Sequence, residues 1–399
     1  MLKPGTIALT ALLATLQAVG PIATDTYLPS LPSIAVHLDA SISTVQLTLS
    51  VFLIGFALAQ IVYGPVSDRF GRKPVLIVGL ALYCAASFAC AVASSIELLI
   101  VARFFQALGA AGPVVLSRSM VRDLYEGRRA GTELSRMGTI MGLMPAVAPS
   151  IGGVLDLFFG WRGPLFAVFA LAIVILLLVI FRLPETIRER VPERLTPKSF
   201  LWGFGPVISD AGYRVHVAIV CFTYAGIFVF ISGGSFVLQN VYGLSSVVFG
   251  LVFGMCALSY VAGTLLGQRL LQRLGVARAL GVGCCFLAAG GTAMVLALVV
   301  GIDHPAAVVV PQMIYLVGVG QALPQGMAGA LMPFTKRAGA ASSLLGFTQM
   351  VFSAGVGTVL GLLLHRGALP MALFLAVCGI GALATYLASR NVRARGPQW

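Results

Sequence analysis

The chain has 399 residues, of which 59% are apolar and only 10% charged. Soluble domains carry about 25% charged residues, so too few charges are present to cover a water-facing surface of this size. The net charge of +13 invites a nucleic-acid partner, but its basic residues sit in short clusters between apolar runs rather than on one continuous face, and this excludes that reading.

A membrane-crossing helix needs about 20 predominantly apolar residues. With short connections the chain holds about twelve of them and has no room for a large soluble domain. In chain order the predicted spans are 7–31, 45–66, 75–93, 98–116, 132–155 and 165–181. A polar connection follows from 182 to 214, and then spans 215–231, 247–270, 279–300, 306–332, 340–364 and 371–388. Lys3 ahead of the first apolar run resembles a secretory leader. That run continues through Pro21 to Leu31 with no convincing cleavage site, so an uncleaved first span is expected.

The basic residues test this map. Of the 26 Lys and Arg, all but Arg103, Arg162 and Arg366 fall on one side if the spans alternate. They include Arg69, Arg72 and Lys73 after span 2, Arg118 to Arg136 around the 4–5 connection, and Arg269, Arg273 and Arg278 after span 8. By the positive-inside rule that side is the cytoplasm, which puts both termini there. The predicted fold is therefore an all-α polytopic membrane protein of two six-helix bundles, 1–181 and 215–399, joined by a cytoplasmic linker at 182–214. An internal repeat agrees with this division. Arg129-Ala130-Gly131 before span 5 matches Arg337-Ala338-Gly339 before span 11, and Ser135, Gly138 and Gly153 match Ser343, Gly346 and Gly361 at the same offset of 208. Parallel copies related by an axis along the membrane normal are one architecture of secondary transporters.

Several chemistries find no support. The seven cysteines lie inside apolar runs without metal-ligand spacing and read as small packing residues. His37, His216, His304 and His365 are scattered at span ends. There is no Gly-Lys-Ser/Thr phosphate loop and no nucleophile elbow, so an enzyme, a bound cofactor and a metal are not expected.

Two ionisable residues stand out because they fall within apolar runs. Asp25 is the one acid of 13 not in a connection or at a span end, and Arg103 is its counterpart among the bases. An ion at bilayer depth costs at least about 2.5 kcal/mol, so such a residue is expected to face a cavity and to have a partner. Arg103 lies about 8 Å below the start of span 4 at 1.5 Å per residue, a depth compatible with Asp25 in the outer half of span 1. Asp25 is the candidate carrier of a coupling proton. Arg103 is the candidate structural and electrostatic partner holding spans 1, 4 and 5 in register. The plainer alternative is an interfacial Asp capping span 1 and an Arg bonded to backbone carbonyls.

The segment Gly64-Pro65-Val66-Ser67-Asp68-Arg69-Phe70-Gly71-Arg72-Lys73 resembles the GxxxDRxGRR/K signature of the major facilitator superfamily. Further segments are similar to its Bcr/CflA drug-exporter subfamily: Asp25-Thr26-Tyr27-Leu28-Pro29 ending span 1, Arg103-Phe104-Phe105-Gln106-Ala107-Leu108-Gly109 in span 4, Ala148-Pro149-Ser150-Ile151-Gly152-Gly153 in span 5, and Pro184-Glu185-Thr186 after span 6. One departure is Ala148-Pro149, where the antiporter motif of the family reads Gly-Pro.

The resemblance implies several roles. Gly64, Asp68, Arg69, Gly71, Arg72 and Asp123 would form a charged latch at the cytoplasmic side, with Gly64 allowing close approach of a neighbouring helix. Pro145, Pro149, Gly152 and Gly153 would bend span 5 and seal the outer half of the interface between the bundles. Tyr27, Gln46, Tyr224, Gln312, Gln321, Gln325 and Gln349 lie in spans that line the central cavity of the resembled fold and are the candidate substrate contacts. Gln321 and Gln325, four apart, share a helix face. The implied activity is export of amphipathic drugs against protons from a bacterial inner membrane, by a monomer. Export or symport of a native metabolite, sugar or siderophore is the alternative.

Overall fold

Most helices in this chain run past the apolar segments that predict them. The computed structural model describes residues 6–125, 127–187 and 205–393. Lys3, Arg395 and the linker residues Arg188, Arg190, Arg194 and Lys198 lie outside the described residues. Among the described residues the regular structure is entirely helical.

Helix α1 (Ile7–Asp25) starts where the Thr6 hydroxyl accepts from the Leu9 amide. Pro29 and Pro32 lack amide donors, and after Asp25 the helix gives way to a 3-10 turn, Leu28–Ser30, and a short α2, Leu31–His37. Then come α3 (Ile42–Phe70), α4 (Arg72–Ala91), α5 (Ile96–Leu124), α6 (Gly127–Phe159) and α7 (Arg162–Arg182). Ser41 and Ser95 cap α3 and α5. A short α8 (Gly205–Ser209) precedes α9 (Ala211–Phe236), α10 (Ser246–Leu274), α11 (Val276–Val299), α12 (Ala306–Leu331), α13 (Ala338–Leu363), α14 (Leu369–Ala388) and α15 (Arg390–Arg393).

Eleven helices among the described residues are long and apolar enough to cross a membrane, and α6 carries the further apolar stretch Met144–Phe159. The predicted boundaries need correction outward. Arg118 and Arg122 belong to α5, Arg273 to α10, and Arg214 to α9 rather than to connections. Hydropathy reports where hydrocarbon ends, whereas a helix continues until its backbone is capped.

The chain divides into two compact units, residues 1–195 with 246–250, and 196–245 with 251–399. In the first, α5 packs on α3 and α4, α1 on α5 and α6, and α4 on α7. In the second, α11 packs on α12 and α14, and α9 on α12, α13 and α14. Both use glycines as seats. A Cβ on Gly55 of α3 would stand 2.9 Å from the Phe104 carbonyl oxygen of α5, and one on Gly263 of α10 would stand 2.3 Å from that of Val317 of α12. Gly109 on Tyr83 and Gly318 on Leu287 repeat the pattern between α5 and α4 and between α12 and α11. Gly55 and Gly263 are 208 positions apart, the offset of the sequence repeat.

Burial follows the logic of a lipid solvent. Of the spans, α7 has the most apolar window, and only 33% of it is buried inside the protein, against 61% for α3. In water an apolar helix would hide; in lipid it can remain on the outside.

Candidate functional site

The guanidinium of Arg103, two turns into α5, is enclosed completely, at 0% exposure. Its Nη1 donates to the Ala23 carbonyl at 2.9 Å and to Gln106 Oε1 at 2.6 Å. It also lies over two aromatic faces, 4.7 Å from the Tyr27 ring centroid and 4.3 Å from that of Phe52, where the ring quadrupoles attract a cation. Gln106 extends the network by donating from Nε2 to Ser87 Oγ at 2.9 Å. Tyr27 and Thr48 bond through their hydroxyls. Because Thr48 donates to the Val45 carbonyl at 2.6 Å, the tyrosine is the donor in that pair. Among the described side chains Arg103 joins α1, α3 and α5, and through Gln106 also α4. Among the described residues its Nε and Nη2 have no hydrogen-bond partner.

Asp25 is the last residue of α1 and is buried, at 5% exposure. The Thr24 hydroxyl lies 3.1 Å from Oδ1, and also 3.1 Å from the Pro21 carbonyl and 3.3 Å from that of Gly20. One hydroxyl hydrogen cannot serve all three acceptors. Among the described residues Asp25 forms no ion pair, so the expected direct partnership with Arg103 is not made; Arg103 takes the neighbouring Ala23 carbonyl instead. Next to this carboxylate, α6 presses hard on α1: a Cβ on Gly152 would meet the Thr26 carbonyl oxygen at 1.8 Å. Helix α6 is continuous through Pro145 and Pro149. Gly153 faces the Ser246 carbonyl oxygen, 2.4 Å from its would-be Cβ, within the same compact unit.

A second cluster forms where α3 ends. Gly71, at φ +102°, breaks α3 from α4, a backbone conformation that only glycine adopts at little cost. The turn places Arg72 Nη1 2.5 Å from Asp68 Oδ1 and 2.6 Å from Ser67 Oγ, and its Nε 3.0 Å from Asp123 Oδ2. Thr186 Oγ1 donates to the same Asp123 oxygen at 3.0 Å. Glu185 receives the backbone amides of Arg72 at 3.1 Å and Lys73 at 3.2 Å, so an anion sits at the positive end of α4. Two members of the expected set stand apart. Arg69 points outward over the Phe70 ring at 5.3 Å. At Gly64 a Cβ would meet nothing within 4 Å among the described residues. The tight contact on α3 falls at Gly55, two turns and more earlier.

Of the candidate substrate contacts, Tyr27 and Gln46 belong to the first unit and Tyr224, Gln312, Gln321, Gln325 and Gln349 to the second. Tyr27 belongs to the Arg103 network. Gln46 in α3, Gln312 in α12 and Gln349 in α13 are buried, and Tyr224 in α9 is half-buried. Gln321 is committed to packing, since Gly267 of α10 and Gly283 of α11 both seat against its side chain, and its Nε2 donates to the Val317 carbonyl at 3.3 Å. Gln325, one turn on, is 8% exposed.

The sequence reading missed Glu133 by placing it at a span end. It is 5% exposed, accepts from Thr10 of α1 at 2.7 Å, and pairs with Arg136 at 2.8 Å. The signal available was its i,i+3 spacing to Arg136 on a helix extending past the apolar run.

An all-helical polytopic chain of two compact units, with an enclosed cation and a buried carboxylate in its first unit, is a multi-pass membrane transporter rather than an enzyme. It belongs to the Major Facilitator Superfamily, whose model matches residues 13–361. It is 30% identical over 394 residues to a bicyclomycin resistance protein homolog of Haemophilus influenzae, covering 96% of this chain and 97% of that protein. It is 28% identical over 382 residues to multidrug resistance protein D of Escherichia coli, covering 95% of each. Relatives with these names are consistent with the Bcr/CflA drug-efflux subfamily. A bacterial homolog of the human lysosomal transporter Spinster shares the fold at a TM-score of 0.79 and 18% identity, covering 100% of both chains.

Proposed function

We propose that this transporter exports amphipathic, drug-like compounds in exchange for protons by alternating access between two six-span bundles, 1–181 and 215–399. The linker at 182–214 and both termini lie in the cytoplasm, the membrane is the bacterial inner membrane, and the working unit is a monomer. The observation that carries the reading is Asp25: a carboxylate at the end of an apolar helix, buried, whose one hydrogen-bond partner among the described residues is a shared hydroxyl. Such a group is costly as an isolated anion, so taking up a proton there is favourable and losing one needs an incentive. An incoming drug that competes with the proton supplies it. Arg103 holds the surrounding helices and Tyr27 in place without neutralising the carboxylate. The Asp68–Arg72–Asp123 cluster serves as the latch that breaks when the carrier turns inward. The resistance names of its relatives support drugs as the cargo.

The test is reconstitution of the full chain in vesicles with an imposed pH gradient and an enclosed pH dye. Drugs that collapse the gradient are substrates. Asp25→Asn should abolish drug-induced proton release, and unchanged release would refute the proton role. If only metabolites or sugars move, the fold stands and the cargo assignment falls.

A further inference from the structure

An apolar trough of about 380 Å³ lies in the first unit between the end of α3 and the start of α4. Val62, Val66 and Phe70 form one wall, and Val75 and Val78 the other, with Tyr63 as the floor. The trough exists because the Tyr63 ring sinks between helices: would-be Cβ atoms on Gly79 of α4 and Gly112 of α5 would lie 2.8 Å and 2.6 Å from it. Pro74, which has no amide to expose, completes the lining at the first turn of α4. Three lining side chains remain largely uncovered, at 55% for Val62, 54% for Phe70 and 70% for Val78. From Val62 to Phe70 the trough runs about 12 Å along α3 at 1.5 Å per residue.

A charge marks one end. Arg69 is exposed, makes no ion pair among the described residues, and holds its guanidinium 5.3 Å from the centre of the Phe70 ring. Its acidic neighbour Asp68 is spent on Arg72. Next along the rim, Lys73 Nζ donates to the Ile180 carbonyl at 2.9 Å. A slot with purely hydrocarbon walls and a cation at one end has the chemistry of one occupant, an acyl chain whose headgroup is an anion.

We infer that this trough binds one chain of an anionic phospholipid, with Arg69 taking the headgroup phosphate, at the leaflet that meets the α3–α4 turn. The site gives Arg69 a task outside the Asp68–Arg72–Asp123 cluster, in which it takes no part. That the leaflet is the cytoplasmic one rests on the proposed topology; the binding itself does not. A bound headgroup would sit one residue from Asp68 and so couple lipid composition to the latch.

The test uses tryptophan fluorescence of the full chain in nanodiscs whose two leaflets have the same composition, so neither topology nor transport enters. Val78→Trp and, separately, Val62→Trp place the probe on either wall at exposed positions. Quenching by brominated phosphatidylglycerol is compared with that by brominated phosphatidylcholine, over the background of the parent protein. Leu265→Trp, 56% exposed on α10 and one turn from Arg269, serves as control. The expected result is about a fivefold preference for the anionic lipid at both trough positions, the worth of one basic residue at an anionic surface. It should fall to about one when Arg69→Gln is added. Equal quenching by the two lipids would overturn the inference. So would a preference that survives Arg69→Gln or appears equally at position 265, since either is a general basic rim. Absence of quenching by both lipids would also overturn it, by showing the trough covered by protein.

Discussion

Gly152→Ala puts the contact between α1 and α6 to a quantitative test. The added Cβ would lie 1.8 Å from the Thr26 carbonyl oxygen and 2.7 Å from its carbonyl carbon, while real Cβ contacts do not fall below 3.0 Å. The two backbones must therefore separate by at least the difference, 1.2 Å, and no flexible side chain is present to absorb it. Overpacking of this kind costs about 1–3 kcal/mol. The displaced residue adjoins Asp25, and a misplacement of about 1 Å at a working group can cost about 100-fold in rate. The expected outcome is a lowered thermal midpoint in detergent and a loss of drug-driven proton release of one to two orders of magnitude. Gly64→Ala is the matched control. It adds the same methyl group to open space and should leave the midpoint equal or slightly raised, since Ala is the better helix former by about 1 kcal/mol. If Gly152→Ala behaves like Gly64→Ala, the close approach of α6 to the end of α1 is wrong.

Two other predictions concern side chains that tie helices together. Glu185→Ala removes the anion from the start of α4 and should destabilise the protein by about 0.5–1 kcal/mol, read as a shift in thermal midpoint, with Glu185→Gln recovering part of it. A double-mutant cycle of Thr10→Val and Glu133→Ala should show a coupling of about 0.6 kcal/mol, with about 1.7 as the upper end for bonds between membrane helices. Additive effects would mean that the Thr10 hydroxyl and Glu133 do not act together.

Lipid-facing chemistry was easiest to read in the sequence. Apolar runs and the side taken by Arg and Lys located the helices, because hydrocarbon imposes one requirement on every span. Asp25 and Arg103 were legible for the same reason, as ions out of place. The Arg72 cluster was legible through the resemblance, since Asp68, Arg72 and Asp123 share a motif and a neighbouring helix end. Glu185 was quoted only as part of a motif, and its capping of α4 was not foreseen. That role depends on the segment after α7 returning to the start of α4, a fact of packing that spacing does not encode. Glu133 was hidden by a boundary, because a hydropathy window ends a span where charges begin although α6 starts at Gly127. At Gly64, where close approach was expected, no neighbour lies within 4 Å among the described residues. A small residue permits contact but does not create it, and the contact on α3 formed at Gly55.

The glycine seats also divide the molecule by how it can change. On the outward faces of α7 a substitution need only remain oily, so many alternatives are equivalent. At Gly55, Gly109, Gly263 and Gly318 even one methyl group must push a neighbouring backbone aside. Sequence drift in such a protein is therefore channelled. The surface can be rewritten almost without limit as long as a few inner positions keep nothing on their α-carbons.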